Sequence, residues 1–377
     1  MERHLAEPVK ADLDKKIVFI TGPRQSGKTT LARMMSNHYD YFNFDNPEHR
    51  IALIRRSWDR SKELVILDEL HKMKKWKSFL KGVYDTEGAR PRLLVTGSAR
   101  LDTYRKAGDS LAGRFFQFRL HPLDLKEIKR YLDPPNPDEA LDLLLKIGGF
   151  PEPFLNGESR FYNRWKKTHL DIIIRQDLVE IENIHRIAAI ETLIELLRRR
   201  VGSPISFSSL ATDLQVSDKT VKNWLSVLEN MYIVFKVTPY HSNVARSLLK
   251  LPKYYFYDTG QVIGDEGARF ENLVACALLK ELQYREDCDG ERTALHYVKR
   301  KDGQEIDFLA VVNDEPVLLM ETKWSDGERS PQFRAFAGLM EATRKKIQLV
   351  RTLDREKTYP DGVEVRAAVP WLAAMEF

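Results

Sequence analysis

The chain has 377 residues, 43% of them hydrophobic, and 60 Lys plus Arg against 55 Asp plus Glu, a formal net charge of +5. That length exceeds what one core serves and predicts two or three folded domains, while the near balance of charge excludes a uniformly basic nucleic-acid coat and leaves only local patches. Two cysteines and nine scattered histidines make neither a disulfide framework nor a metal-ligand spacing; with no apolar signal core and no run of roughly 18 apolar residues, a cytoplasmic protein without a membrane span is expected.

From Ile17 to about Arg119, apolar strand patterns at 17–20, 41–44, 64–67, 92–95 and 115–119 alternate with helical stretches. This predicts a parallel α/β sheet covered on both faces. The first strand opens into Gly22-Pro23-Arg24-Gln25-Ser26-Gly27-Lys28-Thr29-Thr30. The glycines let successive backbone N–H groups turn inward, and a helix starting near Lys28 aims its positive end at the same spot, which makes a phosphate cradle. Lys28 is placed to reach the β- and γ-phosphates of ATP, and the Thr29 hydroxyl to hold Mg²⁺.

The strand at 64–67 ends in Asp68 and Glu69. Asp68 is read as an acceptor for Thr29 or a Mg²⁺-bound water, and Glu69 as the group that polarises the attacking water. The next strand ends in Thr96-Gly97-Ser98, whose hydroxyls either sense the γ-phosphate or cap a helix. Arg114 is a candidate finger acting on a neighbour's nucleotide, set against an ordinary surface arginine. Basic clusters at 72–77, 166–167, 198–200 and 299–301 are local binding candidates or solvated faces.

The run Asp133-Pro-Pro-Asn-Pro137 reads as a linker. Helical segments follow at 138–146 and 159–184, the latter carrying Arg175 and Asp177 as a bridging or helix-stabilising pair. Residues 187–257 look like a winged helix, with helices near 190–200, 207–213 and 217–231 and wing strands at 233–237 and 254–257. In the third helix Val221, Trp224, Leu225 and Leu228 form an apolar stripe; Lys219, Lys222, Asn223 and Ser226 lie opposite. That polar face suits DNA, with the lysines on phosphates and Asn223 on a base edge, or serves no more than subunit packing.

In the last third a helix at 269–283 carries Glu271, and strands follow at 294–298, 305–312 and 316–323. Asp307 sits on the second strand. Glu321 and Lys323 share one face of the third, with Thr322 on the other. Two or three carboxylates beside a lysine can hold Mg²⁺ or Mn²⁺ and stabilise an attacked phosphodiester, whereas each element alone reads as a surface ion pair or strand end.

Together these motifs resemble the bacterial and archaeal AAA+-type ATPases that carry a C-terminal domain of unknown function with a restriction-endonuclease-like, PD-(D/E)XK fold. The resemblance rests on 22–29, Leu67-Asp-Glu-Leu-His71, Thr96-Gly-Ser98, Leu111-Ala-Gly-Arg114, Gly148-Gly-Phe-Pro-Glu-Pro153, Tyr257-Asp-Thr-Gly260, Phe270-Glu-Asn272, Glu305-Ile-Asp307 and Glu321-Thr-Lys323. It implies an α/β chain with a P-loop core at 1–132, a helical lid or linker at 133–186, a winged-helix domain at 187–260 and a nuclease-like domain at 261–377. Lys28, Thr29, Asp68 and Glu69 would then bind and hydrolyse ATP with Mg²⁺. Glu271, Asp307, Glu321 and Lys323 would form a nuclease-type centre, although Ile306-Asp307 replaces the superfamily's Pro-Asp. The implied activity is an ATPase that engages DNA, with possible metal-dependent cleavage; the rival is a nucleotide switch that binds DNA or a protein partner without cutting, and a homo-oligomer is a further possible assembly.

Overall fold

The computed structural model describes residues 2–88, 90–97, 111–178, 187–240 and 251–377. They divide into two compact units, Met1–His121 with Asn230–Tyr232, and Pro122–Glu229 with Ile233–Phe377.

The first unit is built on five parallel strands: β1 (Ile17–Thr21), β2 (Tyr39–Asn43), β3 (Leu64–Asp68), β4 (Arg92–Thr96) and β5 (Phe115–Arg119). Their spatial order is β2-β3-β4-β1-β5. Every residue of β1 and β3 is buried, because helices cover both faces and leave no side for polar alternation. On one face Ile17, Phe19, Val65, Leu67, Leu93 and Val95 pack against Trp76, Leu80 and Val83 of the helix Trp76–Glu87. On the sheet lie also α1 (Ala6–Leu13), against β1 and β4, and α2 (Lys28–Arg33), against β1, β3 and β4. In sequence β2 intervenes between the cradle strand and the acidic strand; in space β4 does.

The second unit carries an eight-stranded mixed sheet, formed by β6 (Val234–Pro239), β7 (Lys253–Phe256), β8 (Thr293–Lys299), β9 (Glu305–Val312), β10 (Glu315–Ser325), β11 (Lys345–Thr352), β12 (Lys357–Thr358) and β13 (Val363–Ala367). The order is β12-β13-β11-β10-β9-β8-β6-β7. A 24-residue helix, α3 (Glu266–Asp289), packs across β7, β8, β9 and β10. Before the sheet come three helices, α4 (Ile187–Arg198), α5 (Phe207–Leu214) and α6 (Asp218–Asn230). The pair β6 and β7 is antiparallel, as wing strands would be, yet β6 also runs parallel to β8 through Thr238 and Pro239. The strands before residue 260, β6 and β7, thus join the same sheet as those after it.

The proline run 133–137 lies within the second compact unit. It joins the helices Leu125–Tyr131 and Pro137–Ile147, both within the second unit. The first of these is fixed there by Glu127, 2% exposed, whose Oε2 accepts from Lys280 Nζ at 2.6 Å. The segment expected to be helical over 159–184 is α-helical at Ser159–Ile172 and π-helical at Ile173–Leu178. Arg175 meets Glu191 at 3.9 Å inside the same unit; the side chain of Asp177 lies outside the described residues.

Several of the singled-out motifs serve this architecture. Buried Asp258 accepts from Tyr162 Oη (2.9 Å), Gln261 Nε2 (3.1 Å) and the Gly260 amide (3.2 Å). Burial raises its carboxyl to about 6, against the opposing pull of those donors. Asn272 accepts from the Phe256 amide and donates to the Phe256 carbonyl and Thr259 Oγ1, so it fastens α3 to the end of β7. Gly148 has φ +72°, and a Cβ there would lie 2.1 Å from Asp258 Oδ1. Gly148→Ala combines a disfavoured backbone region with that clash, so it should cost more than about 2 kcal/mol and lower the circular-dichroism melting temperature by several degrees. An unchanged melt would show that Asp258 yields freely.

Candidate nucleotide site and second acidic centre

The first centre lies at the C-terminal ends of β1, β3 and β4, where an open parallel sheet presents its loops for ligands. Gly22 leaves β1 at φ +139°, and a Cβ on it would sit 2.3 Å from the Leu120 carbonyl oxygen, so the loop can pass only as glycine. The loop then turns through Gln25 (φ +60°) and Gly27 into α2. Lys28, 8% exposed, folds back and donates to the carbonyls of Gly22 (3.0 Å) and Pro23 (2.5 Å). Ser26 is fully buried, and its Oγ has no hydrogen-bond partner among the described residues.

Asp68 is the hub of this centre. Its Oδ2 accepts from Thr29 Oγ1 (3.0 Å) and Tyr41 Oη (2.7 Å), and its Oδ1 from Thr96 Oγ1 (2.5 Å). The wedge of β4 between β1 and β3 is what brings Thr96 there. Glu69 follows in the left-handed region (φ +55°), its amide donating to the Thr96 carbonyl. Burial, then the neighbouring charge of Asp68, raises the Glu69 carboxyl, while Lys28, Arg24 and Lys72 oppose. Its Oε2 accepts no hydrogen bond among the described residues and stands 3.4 Å from His71 Nε2.

This donor set fits MgATP. A threonine hydroxyl and a carboxylate meet as a pair that would hold a hydrated Mg²⁺, a lysine is held by displaceable carbonyls, and a serine oxygen is buried without a hydrogen bond among the described residues. Among the expected residues, Ser98 lies outside the described residues. Arg114 stands at the start of β5, whose neighbour in register is the first residue of β1, so it is at the end of the sheet away from the cradle. There its Nε donates to Asp85 Oδ1 at 2.8 Å.

The residue that the sequence reading missed is Tyr41. Its hydroxyl is held protonated to about 12 by burial and by Asp68, and Arg33 lies 4.2 Å over its ring. A hydrogen bond to a charged group is worth roughly 1.5–3 kcal/mol. Tyr41→Phe should therefore raise the Mg²⁺ concentration for half-maximal nucleotide turnover by about tenfold, with metal-free nucleotide binding unchanged; a titration at fixed ATP checks this.

The second centre forms where β9 and β10 part. Their pairing runs to Met320 opposite Phe308. Beyond it the Thr322 amide donates to Asp307 Oδ2 (2.8 Å), and so does Thr322 Oγ1 (2.7 Å). Thr322 thus engages Asp307 despite the alternation of side chains along β10, because the strands have separated there. Glu321 and Lys323 do share a face, with Nζ 2.7 Å from Oε1. Glu321 Oε1 also accepts from Ser330 Oγ, while Oε2 is buried without a hydrogen bond. Burial, then Asp307, lifts the Glu321 carboxyl to about 7, against the pull of Lys323. Glu271 is raised by burial and next by Asp307, and its Oε1 accepts from Tyr255 Oη (2.6 Å) and Lys253 Nζ (3.2 Å).

Glu271 and Glu321, expected with Asp307 as a metal set, both lie within electrostatic reach of Asp307. Among the described residues no group of three or more His, Cys, Asp or Glu side chains is arranged to hold a metal ion. Lys253, Tyr255, Thr322 and Lys323 each donate to one oxygen of these acids, while Glu271 Oε2, Asp307 Oδ1 and Glu321 Oε2 accept no hydrogen bond among the described residues.

On α6, Lys219, Lys222, Asn223 and Ser226 are all exposed, and Val221, Trp224, Leu225 and Leu228 are buried. Other basic clusters are partly neutralised: Arg198 and Arg199 pair with Glu195, Arg200 with Asp213, and Lys72 with Asp45. No helix among the described residues is long and apolar enough to cross a membrane.

Comparison with known proteins adds three family matches in succession. An AAA domain model matches 14–129, the segment bearing the cradle and both acids. A domain of unknown function (DUF8612) matches 138–263, and another (DUF4143) matches 266–371. A Haemophilus influenzae protein described as uncharacterized is 24% identical, with 98% of each chain covered. An uncharacterized Mycobacterium tuberculosis protein is 27% identical over 248 residues, 65% of this chain and 54% of the relative, so the match spans about half of that relative's length. Among solved structures, a point variant of Thermotoga maritima RuvB aligns with a TM-score of 0.33 and 18% identity, over 65% of this chain and 92% of that one. A Pyrococcus horikoshii signal-transduction ATPase with a tetratricopeptide-repeat sensor aligns at 0.30 and 14%, over 77% and 48%. Likenesses at these scores carry no argument about this chain.

Proposed function

We propose that the chain is a Mg²⁺-dependent ATP hydrolase whose nucleotide state governs engagement of a macromolecular partner. The observation that carries this reading is the convergence of Thr29, Tyr41 and Thr96 on Asp68, beside a buried Lys28 and a half-buried Glu69, within the segment matched by the AAA domain model. Lys28 leaves its two carbonyls for the β- and γ-phosphates. Thr29 and Asp68 would hold Mg²⁺, which when bound neutralises phosphate charge. Glu69 orients the attacking water and accepts its proton, and Thr96 keeps Asp68 in its rotamer. Most of the rate then comes from positioning and charge stabilisation. Phosphate release from ATP by the purified chain, stopped by removal of Mg²⁺, tests the proposal. Absence of both turnover and MgATP binding would overturn it.

The exposed polar face of α6 favours DNA as the partner. If Lys219 and Lys222 contact phosphates, changing both to Glu should weaken DNA binding across sequences and reduce the slope of log affinity against log salt by about 2. A salt-independent affinity, unchanged in the variant, would point instead to a protein partner or a second copy. Cleavage by the second centre is not part of the proposal.

A further inference from the structure

We infer that the second unit holds a binding site for a small organic anion, a carboxylate or phosphate ester with a short apolar body, seated between the helix Ser159–Ile172 and α4. The inference stands apart from the ATPase reading, since every residue it uses lies in the second unit. A cavity of about 290 Å³ is lined by Lys166, Leu170, Ile174, Ile194, Arg198 and Gln261, among others. Ile174 reaches it from the π-helical turn Ile173–Leu178, and such turns are rare and frequently mark functional sites. Leu170, Ile174 and Ile194 supply the apolar surface that would cover the body of a ligand.

Charge divides along the cavity. Arg175 meets Glu191 at 3.9 Å, and Arg198 lies within electrostatic reach of Lys166, so the two helices run antiparallel. Lys166, Lys167 and Arg198 therefore fall at one end, with Asp171 and Glu191 toward the other. At the first end the cations are in excess: Lys166, Arg198 and Arg269 against Asp258 and Glu195. Neither acid pairs with Lys166. Glu195 is shared by Arg198 at 2.9 Å and Arg199 at 3.0 Å, and Asp258 accepts from Tyr162, Gln261 and the Gly260 amide. Lys166 is half-buried, its Nζ 4.9 Å above the Tyr162 ring, and it makes no hydrogen bond or ion pair among the described residues. Burial, then the charge of Arg198, pushes its ammonium down from the usual lysine range, as befits a cation short of a counter-ion. An anion entering the cavity supplies that counter-ion, and partial burial strengthens the charge-assisted bond it forms.

The test titrates the full chain with phenylacetate and with phenyl phosphate in a calorimeter, using 2-phenylethanol and 2-phenylethylamine as neutral and cationic counterparts. At least one anion should bind at one site per chain, at millimolar affinity or tighter, and the tighter of the two identifies the acid group as carboxylate or phosphate. The alcohol and the amine should bind at least about tenfold more weakly, Lys166→Met should weaken the anion by about tenfold or more, and Lys28→Ala should leave it unchanged. Saturable binding of neither anion, an amine bound as tightly as the anions, or an anion lost in Lys28→Ala and kept in Lys166→Met would each overturn the inference. Should Lys166→Met fail to fold, acetylation of Lys166 in the wild-type chain by acetic anhydride, read by mass spectrometry, probes the same contact. The bound anion should slow it several-fold, and an unchanged rate would overturn the inference.

Discussion

Lys28→Ala should weaken ATP binding by about a hundredfold or more and reduce steady-state hydrolysis to background. In the structure the ammonium is 8% exposed and spends its donors on two carbonyls of its own loop. Exchanging those neutral acceptors for anionic phosphate oxygens turns each ammonium–carbonyl bond into one in which both partners are charged, and hydrogen bonds to charged groups are worth roughly 1.5–3 kcal/mol each. Two of them account for the predicted loss, since each 1.4 kcal/mol is about tenfold. Fold stability should change little, because alanine leaves the loop's backbone conformation intact. Fluorescent-nucleotide binding and a melting curve on the same preparation separate the two effects. Unaltered hydrolysis in this variant would remove the cradle from the proposed function.

Glu69→Gln should do the opposite to binding and the same to turnover. The amide keeps the shape of the side chain but removes the negative charge beside Asp68, which itself pushes the Glu69 carboxyl upward after burial. ATP, an anion, should bind as well as before or better. Single-turnover hydrolysis should fall by about 10² to 10⁴, the range that a positioned proton acceptor contributes. The sign of the pH dependence follows from the same shift. Because the raised carboxyl must be ionised to accept the water's proton, wild-type turnover should decline as pH falls through its elevated pKa, and the variant should lose that acid limb. A variant that still turns over with the wild-type acid limb would show that another group receives the proton.

The core of the first unit was legible because its strands are buried on both faces and so read as unbroken apolar runs, as in Leu64-Val-Ile-Leu before Asp68. The exception was β2, which begins at Tyr39 rather than Tyr41: only Phe42 of its five residues is buried, so the run gave a weak edge. Tyr41 escaped notice for a related reason, since its partner Asp68 lies 27 residues away and only the pairing of β2 with β3 brings them together. The helix carrying Glu271 proved longer at both ends than its apolar pattern. Asp265 caps its start by accepting from the Ala268 amide, and Gly290 ends it in the left-handed region; both signals stand in the sequence at the usual cap positions. The acids of the last third were identified as a set, but Lys253 was not, because a lysine outside the familiar strand motif gives no sign of being buried.

The sharing of β6 between two neighbours sets where this protein could be divided or exchanged during evolution. A fragment beginning at residue 261 would part with β6 and β7, leaving the edge of β8 unpaired, Glu271 without the ammonium of Lys253, and Glu305 with Lys299 alone. The smallest transplantable cassette therefore begins upstream of Val234, and a recombination that joined a foreign partner at the apparent seam near 260 would inherit an open sheet edge and a half-buried, unpaired Glu271.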